Sequence, residues 1–377
     1  MRSGGLSCVR RSSCAASRYA VASPGLTIWL AVACAGAAVL AGCSGSNEAS
    51  TSTSTSTSTG ASSPAVPSAT AVKPVGVTST GAALTLDAQW PLTGKSLDHD
   101  APEHPVYVVK MDNTVSAQPQ VGLGAADMVV EELVEGGLTR LAAFYYENVP
   151  HVVGPVRSMR ASDIGIVKPV DADLVASGAA NPTIRRLGAA DIATFTEGTT
   201  GFYRDDSRTA PYNLFMSLDD LASSPGSSWQ PPKKSYLNFG APDDFAGHIP
   251  VTSIDATFST SHTTHWELTA AGWTRPDSFA ADADDFAPDT IVLLRVKVGD
   301  AGYLDPSGSP VPETEFYGSG EAVLVHGDRA LTCTWHKVDK QASVKLATKS
   351  GTPVDVPSGH TWIELIPADT GRVSLHK

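Results

Sequence analysis

The chain has 377 residues, of which 42% are hydrophobic and 18% are charged, so most of it should fold and it is long enough for two domains. Its formal net charge of −12 argues against a nucleic-acid partner, because phosphate backbones require net or patterned positive charge. Four of its 5 cysteines lie within the first 43 residues, which favours neither a disulfide framework nor a cysteine-rich zinc site.

The N-terminal segment has the pattern of an export signal. Residues 1–25 carry arginines, and an apolar run from Leu26 to Leu40 follows. The run is shorter than the ~20 residues of a membrane-spanning helix. The small residues before Cys43 resemble a bacterial lipobox, which implies cleavage before Cys43 and lipidation of its sulfur and new amino group. We therefore expect residues 1–42 to be a lipoprotein signal peptide, with an uncleaved anchor helix as the alternative.

Residues 43–87 are predicted to form a disordered tether that begins at the lipidated cysteine. The sequence from Ser44 to about Ala71 is rich in Ser, Thr and Pro and includes the repeat TSTSTSTSTG. It contains almost no large apolar residues, so burial cannot offset the entropy cost of ordering the chain. The tether should hold the folded part away from the extracytoplasmic face of the cell membrane.

Residues 88–225 predict a first domain of α+β (or α/β) type, because short strands alternate with short helices. Strands are predicted over 106–111, 138–147 and 174–177, whereas 126–134 fits either a strand or a buried helix. One helix is predicted to begin at Ser158 or Ser162 and to stop at Pro169. A second begins at Asn181-Pro182, with proline at its first position.

Residues 226–244 are predicted to be a linker, and residues 245–377 a mostly β domain. A strand is predicted over 290–298, and a final one over 361–366. Two segments predict hairpins: 322–335 turns at Gly327-Asp328, and 343–356 turns at Ser350-Gly351.

Six motifs follow one another in the first predicted domain: MDN (111–113), QPQVGL (118–123), AD (126–127), EGGLTR (135–140), GPVRSMR (154–160) and the set R-D…R-x-x-P-x-N-L (204–214). Together they resemble the N-terminal domain of the YerB-like lipoproteins, a family of unknown function (DUF3048). The later stretches GEAVLVHGDRALTCTWHK and GHTWIELIP resemble the C-terminal domain of the same family. The resemblance implies architecture and location, and it brings no known activity.

An arginine cluster is the candidate site, because guanidinium groups bind phosphate and carboxylate through two parallel hydrogen bonds. Arg157 precedes a predicted helix N-terminus, which would add backbone donors. The expected anion ligands are Arg140, Arg157, Arg160, Arg204, Arg208 and Asn113. The alternative is that the arginines form structural ion pairs with Glu131, Glu135, Asp163, Asp205 and Asp206.

The sequence indicates catalytic chemistry less strongly than it indicates anion binding. The carboxylates near the Gly136-Gly137 turn could act as acid or base, with Glu135 as the candidate. His262 and His265 are three residues apart, a spacing that points them to opposite faces of a strand, so we expect no metal and no cofactor. Cys333 alternates with Leu331 and Trp335 and is therefore predicted to be buried and unreactive.

The sequence thus predicts a lipid-anchored, two-domain protein of the cell envelope. Its expected partners are the membrane, through Cys43, and an anionic envelope small molecule or glycan-lipid held by the arginines. Two other functions stay open. One is an enzyme that processes an envelope polymer or lipid phosphate, and the other is a scaffold that docks an unidentified envelope protein at a strand edge.

Overall fold

The computed structural model describes residues 89–223 and 229–377. The predicted signal peptide, Cys43 and nearly all of the tether lie outside the described residues. Among the described residues, no helix has the length and apolar character needed to cross a membrane.

Strands dominate the described chain. In the part before residue 224 they are β1 (Tyr107–Asp112), β2 (Met128–Leu133), β3 (Thr139–Tyr145), β4 (Asp173–Val175), β5 (Thr194–Phe195), β6 (Phe202–Arg204) and β7 (Leu214–Met216). In the remaining part they are β8 (Phe239–Gly240), β9 (Ile249–Pro250), β10 (Ser253–Thr257), β11 (Thr263–Thr269), β12 (Gly272–Thr274), β13 (Thr290–Leu304), β14 (Pro310–Glu315), β15 (Gly318–His326), β16 (Arg329–Lys337), β17 (Lys345–Ala347), β18 (Pro353–Val354), β19 (Val356–Pro357), β20 (Thr361–Pro367) and β21 (Arg372–His376).

The described helices are short. The α-helices are α1 (Asp163–Val167), α2 (Asn181–Ala189) and α3 (Leu218–Ala222). Single 3-10 turns occur at Val115–Ala117, Leu123–Ala125, Glu135–Gly137, Lys168–Val170 and Pro242–Asp244. The described chain is therefore mostly β.

One large mixed sheet organises the molecule. Its strand order is β18-β17-β16-β15-β13-β20-β2-β3-β1-β4-β5, with β14 also paired to β13 and β9 to β16. β20, from the C-terminal part of the chain, pairs in parallel with both β13 and β2. Strands from both predicted domains thus share one sheet, and all described residues belong to one compact unit. The division at 226–244 stays a prediction, as does the α+β (or α/β) character of residues 88–225.

Both faces of this sheet are buried, because neighbouring residues of a strand point to opposite faces. Val108, Val130 and Ile363 lie in a hydrophobic core on one face, hereafter the first face. Val109, Val129 and Trp362 lie in the core on the second face. There the smaller sheet β12-β11-β10-β21 contributes Trp266, whose ring centre is 5.2 Å from that of Trp362.

The local predictions agree with these elements. β1, β3 and β4 confirm the strands at 106–111, 138–147 and 174–177, and the ambiguous segment 126–134 is strand β2. β15 pairs with β16, and β17 with β18, which confirms both hairpins. Cys333 is buried as predicted, and burial raises the pKa of its thiol to about 11, which disfavours the reactive thiolate.

The helix after the GPVRSMR motif differs from its prediction in how it begins. α1 has 5 residues, and the side chain of Ser162 makes no capping hydrogen bond. Instead, Asp163 Oδ2 accepts the backbone N–H of Arg160 at 2.6 Å. The carboxylate therefore organises the helix start and at the same time fixes the backbone of a predicted site residue.

Candidate functional site

The candidate site is a cleft of about 450 Å³ at the ends of β1 and β3. Arg140, Arg157 and Arg160 line it together with Tyr212 and with residues 305–307 of the turn between β13 and β14. The structure therefore brings together three of the arginines that the sequence singled out.

Strand register explains why these arginines meet. Arg140 lies opposite Asp112 on β1 and opposite Glu132 on β2. The segment that carries the other two arginines runs beside β1, since the backbone N–H of Arg157 donates to the carbonyl of Lys110 at 2.8 Å. Both arginine-bearing segments are thus tied to the same strand end.

Two of the three guanidinium groups are paired with acids. Arg157 Nε lies 2.7 Å from Asp112 Oδ2, and its guanidinium carbon is 5.2 Å from the ring centre of Tyr212. Arg160 donates from Nε and Nη2 to the two oxygens of Glu135, each at 2.7 Å. Burial alone would raise the pKa of Glu135, but the hydrogen bonds and charge of Arg160 outweigh it and lower that pKa. Glu135 is therefore held as a carboxylate.

Arg140 has no such acid. Its Nη1 donates to the carbonyl of Ser158 at 2.9 Å, and no described residue forms a salt bridge with it. Burial, and next the nearby charge of Arg160, lower the pKa of Arg140 to about 10, so the group stays charged at neutral pH. A buried charge is costly without a partner of opposite sign. Arg140 thus gives the cleft a cation whose charge no described side chain neutralises at salt-bridge distance.

A fully buried charge cluster supports the floor of this region. Lys110 Nζ donates to Glu132 Oε1 at 2.7 Å and lies 2.8 Å from Asp163 Oδ1, and all three side chains have 0% exposure. Because Asp163 also accepts the N–H of Arg160, the cluster connects β1 and β2 to the start of α1. The cluster thus positions the backbone of Arg160, and its three side chains do not line the cleft.

Arg204 and Arg208 lie outside the cleft. Arg204 donates to both oxygens of Glu197 at 2.7 Å, on the surface. Arg208 donates to the carbonyls of Ala117 and Pro119 at 3.1 and 2.6 Å. Neither Glu197 nor these carbonyls belong to the partners of the ion-pair alternative. The pairs that match it are Arg160 with Glu135 and, at 3.6 Å, Arg208 with Asp205.

Asn113 also faces away from the cleft. Its Nδ2 donates to Glu131 Oε1 at 3.0 Å and to Thr139 Oγ1 at 2.9 Å.

With His262 and Arg275, Asn113 lines a separate pocket of about 190 Å³. By strand alternation this pocket lies on the second face of the sheet, whereas Lys110, Glu132 and Arg140 lie on the first. Sequence reasoning missed Arg275 and considered His262 only as a metal ligand.

Two family models match this chain. The model for the protein of unknown function (DUF3048) N-terminal domain matches residues 92–228, and that for the DUF3048 C-terminal domain matches residues 254–363. A relative named "Putative lipoprotein YerB", from Bacillus subtilis (strain 168), is 25% identical over 299 residues, which are 76% of this chain and 88% of the relative.

The fold is also similar to a solved structure. The crystal structure of the YerB protein from Bacillus subtilis matches with a TM-score of 0.63 and 21% sequence identity, covering 76% of this chain and 99% of that one. At this identity the likeness concerns the fold alone. From the two family matches, which together span more than half of the sequence, the chain belongs to the family of YerB-like lipoproteins that carry DUF3048 N- and C-terminal domains.

Proposed function

We propose that this lipoprotein is a binding protein whose cleft holds an anion: a small molecule, or the phosphate of a cell-envelope glycan or lipid. Membership of a lipoprotein family supports attachment to a membrane. Lipidation of Cys43, exposure on the extracytoplasmic face and the nature of the anion are parts of the proposal.

The observation that carries the proposal is the unpaired charge of Arg140 at the wall of a cleft. Arg157 and Arg160 are each neutralised by an acid, but their guanidinium groups keep further N–H donors. An anion beside Arg140 would gain a charge-assisted hydrogen bond and could accept additional bonds from its neighbours. It would also neutralise a buried cation, which favours occupancy of the cleft.

Titration calorimetry with inorganic phosphate tests this proposal. Replacing Arg140 by Gln removes the charge but keeps a hydrogen-bond donor. The neutral and shorter amide cannot make the charge-assisted hydrogen bond, whose loss costs about 1.5–3 kcal/mol, or roughly a 10- to 100-fold increase in Kd. Arg204→Gln is the matched control, because it removes the same charge from the surface pair with Glu197. Phosphate that does not bind, or that binds equally to both variants, would contradict the proposal.

An enzyme that processes an envelope polymer or lipid phosphate is the alternative, with Glu135 as its acid or base. The salt bridge to Arg160 and the lowered pKa make Glu135 a poor proton acceptor at neutral pH, where a general base works best with a pKa near that pH. We therefore favour binding. Turnover of an envelope substrate that disappears in Glu135→Gln, while phosphate binding persists, would select the enzyme instead.

A further inference from the structure

The pocket on the second face of the sheet is built from polar side chains that are withdrawn from water. Asn113, Thr264 and Arg275 line it with exposures of only 3%, 5% and 6%, and His262 lies beside them. Burying polar groups is costly unless hydrogen bonds satisfy them.

His262 is held in one orientation by Glu131. Its Nε2 lies 3.0 Å from Glu131 Oε1 and 3.0 Å from Thr139 Oγ1. A carboxylate can only accept hydrogen bonds, so Nε2 carries the proton and Nδ1 is left as the second ring nitrogen. No described residue forms a hydrogen bond with Nδ1. Burial lowers the pKa of His262, but the hydrogen bond and charge of Glu131 outweigh this and raise it overall.

Glu131 is in turn fixed by groups that the fold brings from distant parts of the chain. It is fully buried and accepts hydrogen bonds from Asn113 Nδ2 and Thr264 Oγ1, both at 3.0 Å. Burial alone would raise its pKa, yet His262 and the neighbouring donors lower the pKa of Glu131 to about 2. The carboxylate is therefore a permanent acceptor behind His262.

The charges around this pocket are paired with one another. Glu131 faces His262, and Arg275 Nη2 donates to Asp285 Oδ1 at 2.5 Å. Asp277 is exposed at the pocket, where water screens it. Unlike Arg140 in the cleft, no lining cation here lacks an acid.

Two hydrogen-bonding groups nevertheless stay unused. Ser261 and His262 line the pocket, and neither the Ser261 hydroxyl nor His262 Nδ1 forms a hydrogen bond with a described residue. The half-buried ring of Phe279 supplies an apolar surface in the same pocket. The pocket therefore offers hydrogen-bonding groups and an aromatic ring, but no net attraction for an ion.

We propose that this pocket is a second binding site, which takes a neutral, hydroxyl-bearing ligand the size of one sugar unit. Hydroxyl groups can both donate and accept, which matches the hydroxyl of Ser261 and His262 Nδ1 in either protonation state. The C–H face of a sugar ring packs on the ring of Phe279. A volume of about 190 Å³ equals about six waters at ~30 Å³ each, which suits a single ring and is too small for an oligosaccharide.

Other ligand classes fit less well. An anion lacks an unpaired cation in this pocket, since Arg275 is paired with Asp285. Within residues 89–223 and 229–377, no group of three or more His, Cys, Asp or Glu side chains is placed to hold a metal ion. A purely structural role for the Glu131–His262 pair is the remaining rival, and it predicts that nothing binds.

The test uses the full-length protein in detergent with carbon-13 at the histidine ring Cε1. D-glucose, N-acetyl-D-glucosamine and myo-inositol are titrated separately, and sodium phosphate serves as the ionic comparison. The signal of His262 is assigned by its loss in His262→Gln, in which the amide can still donate to Glu131 and preserve the fold. We expect at least one of the neutral ligands to shift that signal saturably with a millimolar Kd, while phosphate does not.

Two variants separate this site from the anion cleft. Phe279→Leu should weaken the sugar at least 10-fold, because a flat ring surface is lost while most of the packing is kept. Arg140→Gln should leave the affinity for the sugar within twofold. The proposal would be overturned if no neutral ligand shifts the His262 signal saturably up to about 10 mM, or if the Kd of the sugar is unchanged in Phe279→Leu. Neither result bears on phosphate binding at Arg140.

Discussion

Replacing Lys110 by Met tests whether the buried charge cluster under the cleft acts as one unit. Met is similar in length and is apolar, so the change removes the charge with little loss of packing. Lys110, Glu132 and Asp163 are all fully buried, and the lysine nitrogen lies 2.7 and 2.8 Å from the two acids. The variant therefore leaves two buried carboxyl groups without their cation.

The expected cost is large. Removing one partner of a buried ion pair destabilises proteins by about 3–5 kcal/mol, because an uncompensated charge remains. That is a substantial fraction of the roughly 5–15 kcal/mol that separates folded from unfolded domains. Lys168→Met is the matched control, since Lys168 pairs with the exposed carboxylate of Asp171 and its pair should contribute at most about 1 kcal/mol.

The pH dependence of this cost gives a second check. Burial raises the pKa of Asp163 even with Lys110 in place, and losing that cation should raise it further. A folded-state pKa above the unfolded value means that the folded state binds more protons, so the variant loses stability as pH rises and regains it as pH falls towards about 4. Urea unfolding, followed by tryptophan fluorescence at pH 5 and pH 8, measures both effects. A Lys110→Met variant as stable as Lys168→Met at pH 8 would show that the three buried groups do not stabilise the fold as one unit.

Three further predictions concern buried carboxyls and the anchor. Burial next to Glu131 raises the pKa of Glu364 well above its usual value, so Glu364→Gln should change the free energy of unfolding at pH 7 by less than about 1 kcal/mol. Glu131→Gln should instead lower the free energy of unfolding by about 3 kcal/mol. Equal losses for the two variants in urea unfolding would contradict this prediction. Burial raises the pKa of Asp127 to about 7, so the folded state holds the extra proton between pH 4 and 7 and stability should fall across that window, by roughly 4 kcal/mol at most. Asp127→Asn should flatten the pH profile of unfolding, and an unchanged slope would contradict the assignment. Cys43→Ser should move the protein from the membrane fraction to the soluble fraction of expressing cells, and retention in the membrane fraction would argue against lipidation at Cys43.

Local sequence patterns were sufficient for the strands and hairpins whose partners are close in the chain. The turn at Gly327-Asp328 joins β15 to β16, and alternation placed Cys333 inside. The segment 126–134 stayed ambiguous because β2 pairs with β20, which lies more than 200 residues later. A strand buried on both faces loses the alternating pattern, so its type could not be decided from local residues.

The candidate cleft was predictable only in part. Arg140, Arg157 and Arg160 flank turns that return to the same strand end, so their meeting follows from local connections. Arg208 looked equivalent in sequence, but it donates to backbone carbonyls of a loop about 90 residues away. The pocket around His262 depends on contacts across more than 120 residues, and no local pattern indicates them.

If the unpaired charge of Arg140 creates a site for an anion, a bound oxyanion should be visible beside it in a crystal. Crystals of the protein soaked in sodium selenate would be measured at the selenium absorption edge, where selenate stands in for a phosphate group. We expect an anomalous peak in the cleft, within hydrogen-bonding distance of Arg140 and Arg157. A cleft without a peak, in crystals that show selenate at surface arginines such as Arg204, would contradict it.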